Sequence, residues 1–161
     1  MLNTTAITTT PKVDADRNAA LAKFAKQAEA QAAKIALNQW VLPVEGYHLT
    51  ARFGEYSGLW SHFHTGLDFA APSGTPIHAA ADGTVVYARV SASWGGRTII
   101  QHSPTLKTAY GHQSTFLVTE GQVVKQGQVI GLSGTTGWST GCHLHFTVNQ
   151  NGVPVDPMNW F

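Results

Sequence analysis

The stretch Gly141-Cys142-His143-Leu144-His145-Phe146 carries two histidines one residue apart and runs on into Thr147-Val148. Aromatic and β-branched residues favour strands, and on a strand residues i and i+2 share a face. His143 and His145 are therefore expected to point the same way, with Leu144 and Phe146 on the other side. Neutral imidazole is the commonest metal ligand, so parallel imidazoles suit metal binding or metal-assisted catalysis. Upstream, His64-Thr65-Gly66-Leu67-Asp68 is a His-x-x-x-Asp. That spacing has even parity, so an extended segment puts His64 and Asp68 on one face. A helix would do the same, but Gly66 and the run Ala71-Pro72-Ser73-Gly74 argue against one. His64, Asp68 and one of the His143/His145 pair make a set of two histidines and one carboxylate. Catalytic zinc sites use three protein ligands of this kind and leave a fourth position for water. His112, in Tyr110-Gly111-His112 at the end of another strand-like run, is a further candidate.

In order and approximate separation, His64-x-x-x-Asp68, Tyr110-x-His112 and His143-x-His145 resemble the zinc endopeptidases of the lysostaphin and LytM type, peptidase family M23. The resemblance covers roughly Trp40 to Phe161. It extends to the connecting signatures Arg52-Phe53-Gly54, Gly74-Thr75-Pro76-Ile77, Ala80-Ala81-Asp82-Gly83-Thr84-Val85-Val86, Gly127-Gln128-Val129-Ile130-Gly131 and Thr136-Gly137. There are two departures: Gln113 stands where the family usually has Leu, and Cys142 fills a variable position. The resemblance implies that His64, Asp68 and His145 bind one Zn²⁺ per chain. It implies that His112 and His143 are catalytic histidines outside the ligand shell. The chemistry agrees, because two imidazoles and one carboxylate leave the ion a net positive charge, which acidifies water and polarises a carbonyl. Peptide hydrolysis also needs a base, an oxyanion stabiliser and an acid for the leaving amine; His112 and His143 share these tasks. The implied substrate is a peptide bond in the stem or cross-bridge of bacterial peptidoglycan. The implied location is extracytoplasmic: secreted, in the cell wall or in the periplasm.

Other readings compete with this one. A non-catalytic LytM-like regulator or wall-binding module would have the fold without the ligands, whereas the ligand set here is complete. A Cys-His hydrolase using Cys142 is opposed by parity, which turns Cys142 away from His143 and His145. A phosphoryl-carrier barrel with paired histidines would leave Asp68 and the connecting signatures unexplained.

The positioning elements follow from composition and texture. Hydrophobic residues make up 43% and charged residues 12% of the 161, which indicates a globular chain with a weakly charged surface. Residues 1–40 carry five basic and three acidic residues (+2), and residues 41–161 five basic and six acidic (−1). No basic patch argues for nucleic acid. A single cysteine excludes an internal disulfide, and no apolar run approaches the length of a membrane span. Met1 to Lys12 is Thr-rich with no apolar centre, so no signal peptide is visible. A monomer is expected.

Residues 1–39 read as a disordered start and an Ala-rich helix or linker, and residues 40–161 as the zinc endopeptidase domain. The helix is expected from Asp14 to Asn38, with Asp14 or Asp16 as cap. Its stripe is Leu21, Phe24, Ala25, Ala28, Ala32, Ile35 and Ala36. After Trp40, short β-type runs alternate with Gly and Pro: Tyr47–Arg52, Gly83–Val90, Arg97–His102, Lys107–Gly111, Gln122–Val124 and His143–Val148. Asn151-Gly152 is a type I′ hairpin signal before Val153–Val155. The fold class expected is all-β, an antiparallel, barrel-like sheet with an N-terminal helical appendage.

The remaining candidates have plainer readings. His102 occupies a family position that is usually His and is expected to be a hydrogen-bonded sheet residue. His62 is expected to be a rim residue rather than an adventitious ligand, and His48 and His78 surface or packing residues. Tyr110 shares parity with His112, so it either donates into the site or packs in the core. Arg52 either meets a carboxylate or belongs to a structural turn. Tyr56, Trp60, Phe63, Trp94 and Trp138 lie in or near Gly/Ser-rich loops and together are expected to wall a groove.

Overall fold

The computed structural model describes residues 11–37, 39–58 and 62–161. The chain divides into two compact units, Met1–Asn38 and Gln39–Phe161.

In the first unit, helix α1 spans Pro11–Leu37. Alanine carries no helix penalty, and Pro11 stands at the first helical position, where its missing N–H costs nothing. The helix thus starts three residues before Asp14, and Lys12 is helical rather than part of an irregular start. Asp14 lies within the first turn and pairs with Arg17 at 3.2 Å instead of capping the end; Asp16 is likewise internal. Leu21 and Phe24 are exposed. Residues 1–10 and Asn38 lie outside the described residues, as do the side chains of Ala32, Ile35 and Ala36.

The second unit is antiparallel β throughout. Its strands are β1 (His48–Ala51), β2 (Leu67–Ala70), β3 (Pro76–His78), β4 (Gly83–Ser91), β5 (Gly95–Ser103), β6 (Leu106–Gln113), β7 (Thr115–Phe116), β8 (Val123–Val124), β9 (Val129–Leu132), β10 (His143–Gln150) and β11 (Val153–Val155). Among the described residues, eight strands form one sheet in the order β1-β2-β10-β6-β5-β4-β8, with β11 also on β10; β3-β9-β7 form a second sheet. Asn151 and Gly152 both have positive φ, 54° and 80°, as a type I′ turn requires. The all-β reading holds, and the first strands expected from alternation are present. The four-residue β2 has no alternation to read: Leu67, Asp68 and Phe69 are all buried. Strands β3, β7 and β9, in the smaller sheet, are equally short.

One face of the large sheet makes the core. Leu144, Phe146 and Val148 of β10 are fully buried, as are Leu67 of β2, Ile100 of β5 and Tyr110 of β6. The Phe146 ring packs 5.2 Å from Tyr110 and 6.3 Å from Phe69. Tyr110 is committed to this core and does not enter the site: its hydroxyl accepts from Ala80 N at 2.9 Å and lies 3.1 Å from Thr108 Oγ1. Burial pushes its pKa up to about 12. His102 joins the same network as a sheet residue. Its Nδ1–H donates to Asp82 O at 2.7 Å, leaving Nε2 to accept from the Thr108 hydroxyl at 2.8 Å. The Trp40 ring lies 5.1 Å away.

Burial lowers the His102 pKa, and the Asp82 carbonyl only partly opposes it. Above the unfolded value both states are neutral. As pH falls through that value, about 6.5, the unfolded chain takes the proton first, so stability is lost on acidification. His102→Gln is therefore expected to flatten the fall in melting temperature between neutral pH and pH 5, measured in calorimetric scans. An unchanged slope would show that His102 is not held neutral. A chain beginning at Gln39 is expected to melt cooperatively at the temperature of the full chain; loss of its transition would make α1 part of the folding unit.

Candidate metal centre

Strand β10 is hydrogen-bonded on both flanks, and this places most of the site. On one side His145 stands opposite Asp68 of β2, and on the other opposite Gly111 of β6. Directly opposed residues have Cβ atoms about 5 Å apart, so register alone brings an imidazole beside a carboxylate. Gly111 leaves the other flank open, and the Trp94 ring fills it: a Cβ at Gly111 would sit 2.7 Å from Trp94 Cε3. The same ring meets the His145 ring edge-on at 4.7 Å.

His64 arrives differently from the sequence expectation. It is not on a strand with Asp68, since β2 begins only at Leu67. It lies in the preceding loop, where its N–H donates to Glu55 O and its carbonyl accepts from Gly54 N, both at 2.8 Å. Its Nδ1 is 3.1 Å from Arg52 O. Arg52 thus serves the site through its carbonyl, from the turn its motif suggested.

Three donor atoms converge. His64 Nε2 is 3.1 Å from His145 Nδ1 and 3.2 Å from Asp68 Oδ1, and His145 Nδ1 is 2.7 Å from Asp68 Oδ1. Ligands about 2.0–2.2 Å from a tetrahedral zinc lie about 3.3 Å from one another, close to the two edges at His64; the shorter edge between His145 and Asp68 is a hydrogen-bond distance. Proton accounting points the same way. Arg52 O can only accept, so His64 Nδ1 carries a proton and a neutral His64 offers a bare Nε2 to the triangle. Burial alone would raise the Asp68 carboxyl, but hydrogen bonds and charge from His145 and His64 hold it well below the usual carboxylate range. Burial would lower His64, yet Asp68 raises it overall, whereas His145 is pushed down by burial despite Asp68. The set of three is buried or nearly so and can hold a divalent cation.

His112 and His143 stand beside the triangle. Their rings are 4.6 Å apart, and His112 is 6.2 Å from His145. Alternation after Tyr110 would send His112 into the core. Instead its φ is +62°, uncommon for a residue with a side chain. The β5–β6 register slips there: between the pairs Thr98–Tyr110 and Gly96–Gln113, Gly111 and His112 of β6 face Arg97 alone on β5. Such a bulge re-aims a side chain, and the tyrosine and histidine of Tyr110-x-His112 do not share a face. The His112 Nδ1–H donates to Thr136 O at 2.7 Å, and the His143 Nδ1–H to Gly141 O at 2.8 Å. Both rings therefore turn a bare Nε2 toward the site, with His143 Nε2 3.8 Å from Asp68 Oδ2. Burial holds the His112 pKa down, the Thr136 carbonyl opposing it.

The five residues lie in one cavity of about 620 Å³, walled by Phe63, Trp94, Trp138 and Ser139, with His62 on its exposed rim. Tyr56 is exposed and does not line it; Trp60 lies outside the described residues. His48 is exposed on β1, and His78 Nδ1 donates to Gly127 O at 2.9 Å. Cys142 is a free, half-buried thiol outside the donor triangle. Thr136, which orients His112, was visible only as part of the Thr136-Gly137 signature.

The family model for peptidase family M23 matches residues 62–157. The chain belongs to peptidase family M23. It is 45% identical over 96 residues to the DD-carboxypeptidase/endopeptidase Mpg of Neisseria meningitidis serogroup B, covering 60% of this chain and 22% of that protein. It is 48% identical over 95 residues to the peptidoglycan DD-endopeptidase ShyA of Vibrio cholerae serotype O1, covering 59% and 22%. A crystal structure of a zinc-containing peptidase from Vibrio cholerae superposes with a TM-score of 0.68 at 38% identity, covering 75% of this chain and 39% of that one. The match spans about a fifth of the length of these two relatives.

The carbonyl that orients His112 depends on Gly137, whose φ is +73° and whose added Cβ would lie 2.3 Å from Gly95 N. Gly137→Ala is expected to cost more than about 1 kcal/mol of stability and to free the His112 ring from a single tautomer. Thermal melts and imidazole ¹⁵N spectra read the two effects; a stable variant with the His112 tautomer unchanged would refute the link.

Proposed function

We propose that this member of the M23 family is a zinc-dependent endopeptidase that hydrolyses peptide bonds in bacterial peptidoglycan, outside the cytoplasm. The observation that carries the reading is the donor triangle of His64, Asp68 and His145 with two further imidazoles beside it, each presenting a bare Nε2. His64 Nε2, Asp68 Oδ1 and His145 Nδ1 hold the ion. When bound, Zn²⁺ supplies a Lewis acid that polarises the scissile carbonyl and acidifies water.

The other steps belong to the chain. His112 and His143, neutral and with Nδ1–H tied to main-chain carbonyls, accept a proton at Nε2 from the attacking water. A ring so protonated becomes an N–H donor, able to stabilise the oxyanion and then to return the proton to the leaving amine. Asp68 stays ionised next to these rings, and its charge opposes the lowering that burial imposes on His112. Phe63, Trp94 and Trp138 give the peptide flat apolar walls and reduce the water around the reacting atoms. The names of the relatives support peptidoglycan as the substrate class and a DD bond as the target.

The test uses zinc-loaded protein on purified cell walls, with new amine ends identified by mass spectrometry. Wild type is expected to bind one zinc per chain and release new ends. His64→Ala, Asp68→Ala and His145→Ala are expected to lose the metal. His112→Ala and His143→Ala are expected to keep it and lose roughly 10²–10⁴-fold in rate. Cys142→Ser is expected to keep both. A zinc-loaded wild type inert on every wall type would favour the non-catalytic regulator, and full hydrolysis by the His112→Ala/His143→Ala double variant would reject the mechanism.

A further inference from the structure

Trp94 separates the site from a second cavity of about 490 Å³, since its ring lines both. The second cavity continues along the same face of the sheet. On β10, Thr147 and Asn149 follow His143 and His145 at alternate positions. On β6, Ala109 and Lys107 stand opposite them, as Gly111 stands opposite His145. On β5, Ile99 stands opposite Ala109, and Arg97, two residues back toward the donor triangle, falls at the bulge opposite Gly111 and His112. The sheet beneath both cavities therefore continues from the donor triangle to Asn149, four residues along β10 from His145, or about 13 Å at the rise of a strand, with the Trp94 ring between the two cavities.

The chemistry of this extension differs from that of the site. Arg97 and Lys107 are both cationic, and no carboxylate lines the cavity with them. Among the described residues, neither forms an ion pair. The Arg97 guanidinium is held by aromatic rings instead: its Cζ lies 4.7 Å from the Tyr87 ring centroid and 5.1 Å from that of Trp94. Its Nε is buried without a hydrogen-bond acceptor. A buried donor left unpaired costs free energy, and a guanidinium already fixed in position loses little entropy when an acceptor arrives. A planar carboxylate matches that fork. Asn149 and Thr105 add neutral hydrogen-bonding groups to the cavity wall.

We propose that this second cavity is a carboxylate subsite, in which Arg97, beside Trp94, and Lys107, further along the groove, bind an anionic residue of the peptide substrate within about four extended residues of the hydrolysed bond. Trp94 is the partition between the two sites and contacts both His145 and Arg97. The inference rests on the peptidase reading for the identity of the ligand as a peptide, but its chemistry is tested by binding alone.

The experiment titrates the protein calorimetrically with the disaccharide–tetrapeptide monomer released from cell walls by a muramidase. The comparison ligand is the same compound with its carboxylates converted to carboxamides. Wild type is expected to bind the carboxylate form about tenfold more tightly, the scale of one charge-assisted hydrogen bond, and to lose that preference in high salt. Lys107→Gln, an exposed position, is expected to reduce the preference, and Arg97→Gln/Lys107→Gln to abolish it. Equal binding of the two forms by wild type, no binding of either, or an intact preference in a folded double variant would each overturn the proposal. Wall hydrolysis measured in parallel separates the two claims. Preference without hydrolysis would sink the peptidase reading and leave the subsite standing. Hydrolysis without preference would sink the subsite alone.

Discussion

The two-sided pairing of β10 is the constraint from which the site follows. Hydrogen bonds to β2 and β6 fix its register, and register fixes which side chains oppose His145. A slip of one residue would send His143 and His145 into the core and Leu144 and Phe146 into the groove. The fully buried Leu144, Phe146 and Val148 oppose that slip. The apolar face of the strand thus holds the histidine-bearing face in place, and burial that stabilises the fold also sets the distance between an imidazole and a carboxylate.

Main-chain carbonyls do the rest of the positioning. Arg52 O, Thr136 O and Gly141 O each take the Nδ1 proton of one histidine. Each bond selects a tautomer and aims a bare Nε2 inward, the role outer partners usually play around metal ligands. The exception is His145, which enters the triangle through Nδ1. The cost shows at His112, held at φ +62° in a bulge. Strain of this kind persists where surrounding structure over-determines it, and here the interlocked turns around Gly95 and Gly137 supply that support.

Much of this was legible from residue order. Alternation in His143–Val148 placed both histidines on one face, and Asn151-Gly152 marked the hairpin. His102 was readable as a sheet residue. The resemblance to the M23 family supplied the proposed ligand set and the proposed role of His112. What local pattern could not show was set by tertiary contacts. Parity gave Tyr110 and His112 one face and left core packing as the equal alternative; a bulge breaks alternation between them, and Tyr110 packs in the core. His64 was assumed to share a strand with Asp68, yet a loop carries it. Strand β2 was missed because it is short and buried, and buried strands do not alternate. The start of α1 was set too late because Asp14 or Asp16 was read as the cap, whereas the helix begins at Pro11.

The central claim is that three named nitrogen and oxygen atoms hold the ion while two other imidazoles stay free with fixed tautomers. The most direct test is the ¹⁵N spectrum of the histidine rings, recorded as zinc is added to the intact chain. The account predicts that His64 Nε2 and His145 Nδ1 shift on saturation, and that His112 and His143 keep protonated Nδ1 and unligated Nε2 throughout. A zinc-induced shift at His143 Nε2 in place of His145 Nδ1, or rapid tautomer exchange at His112 in the loaded protein, would contradict it.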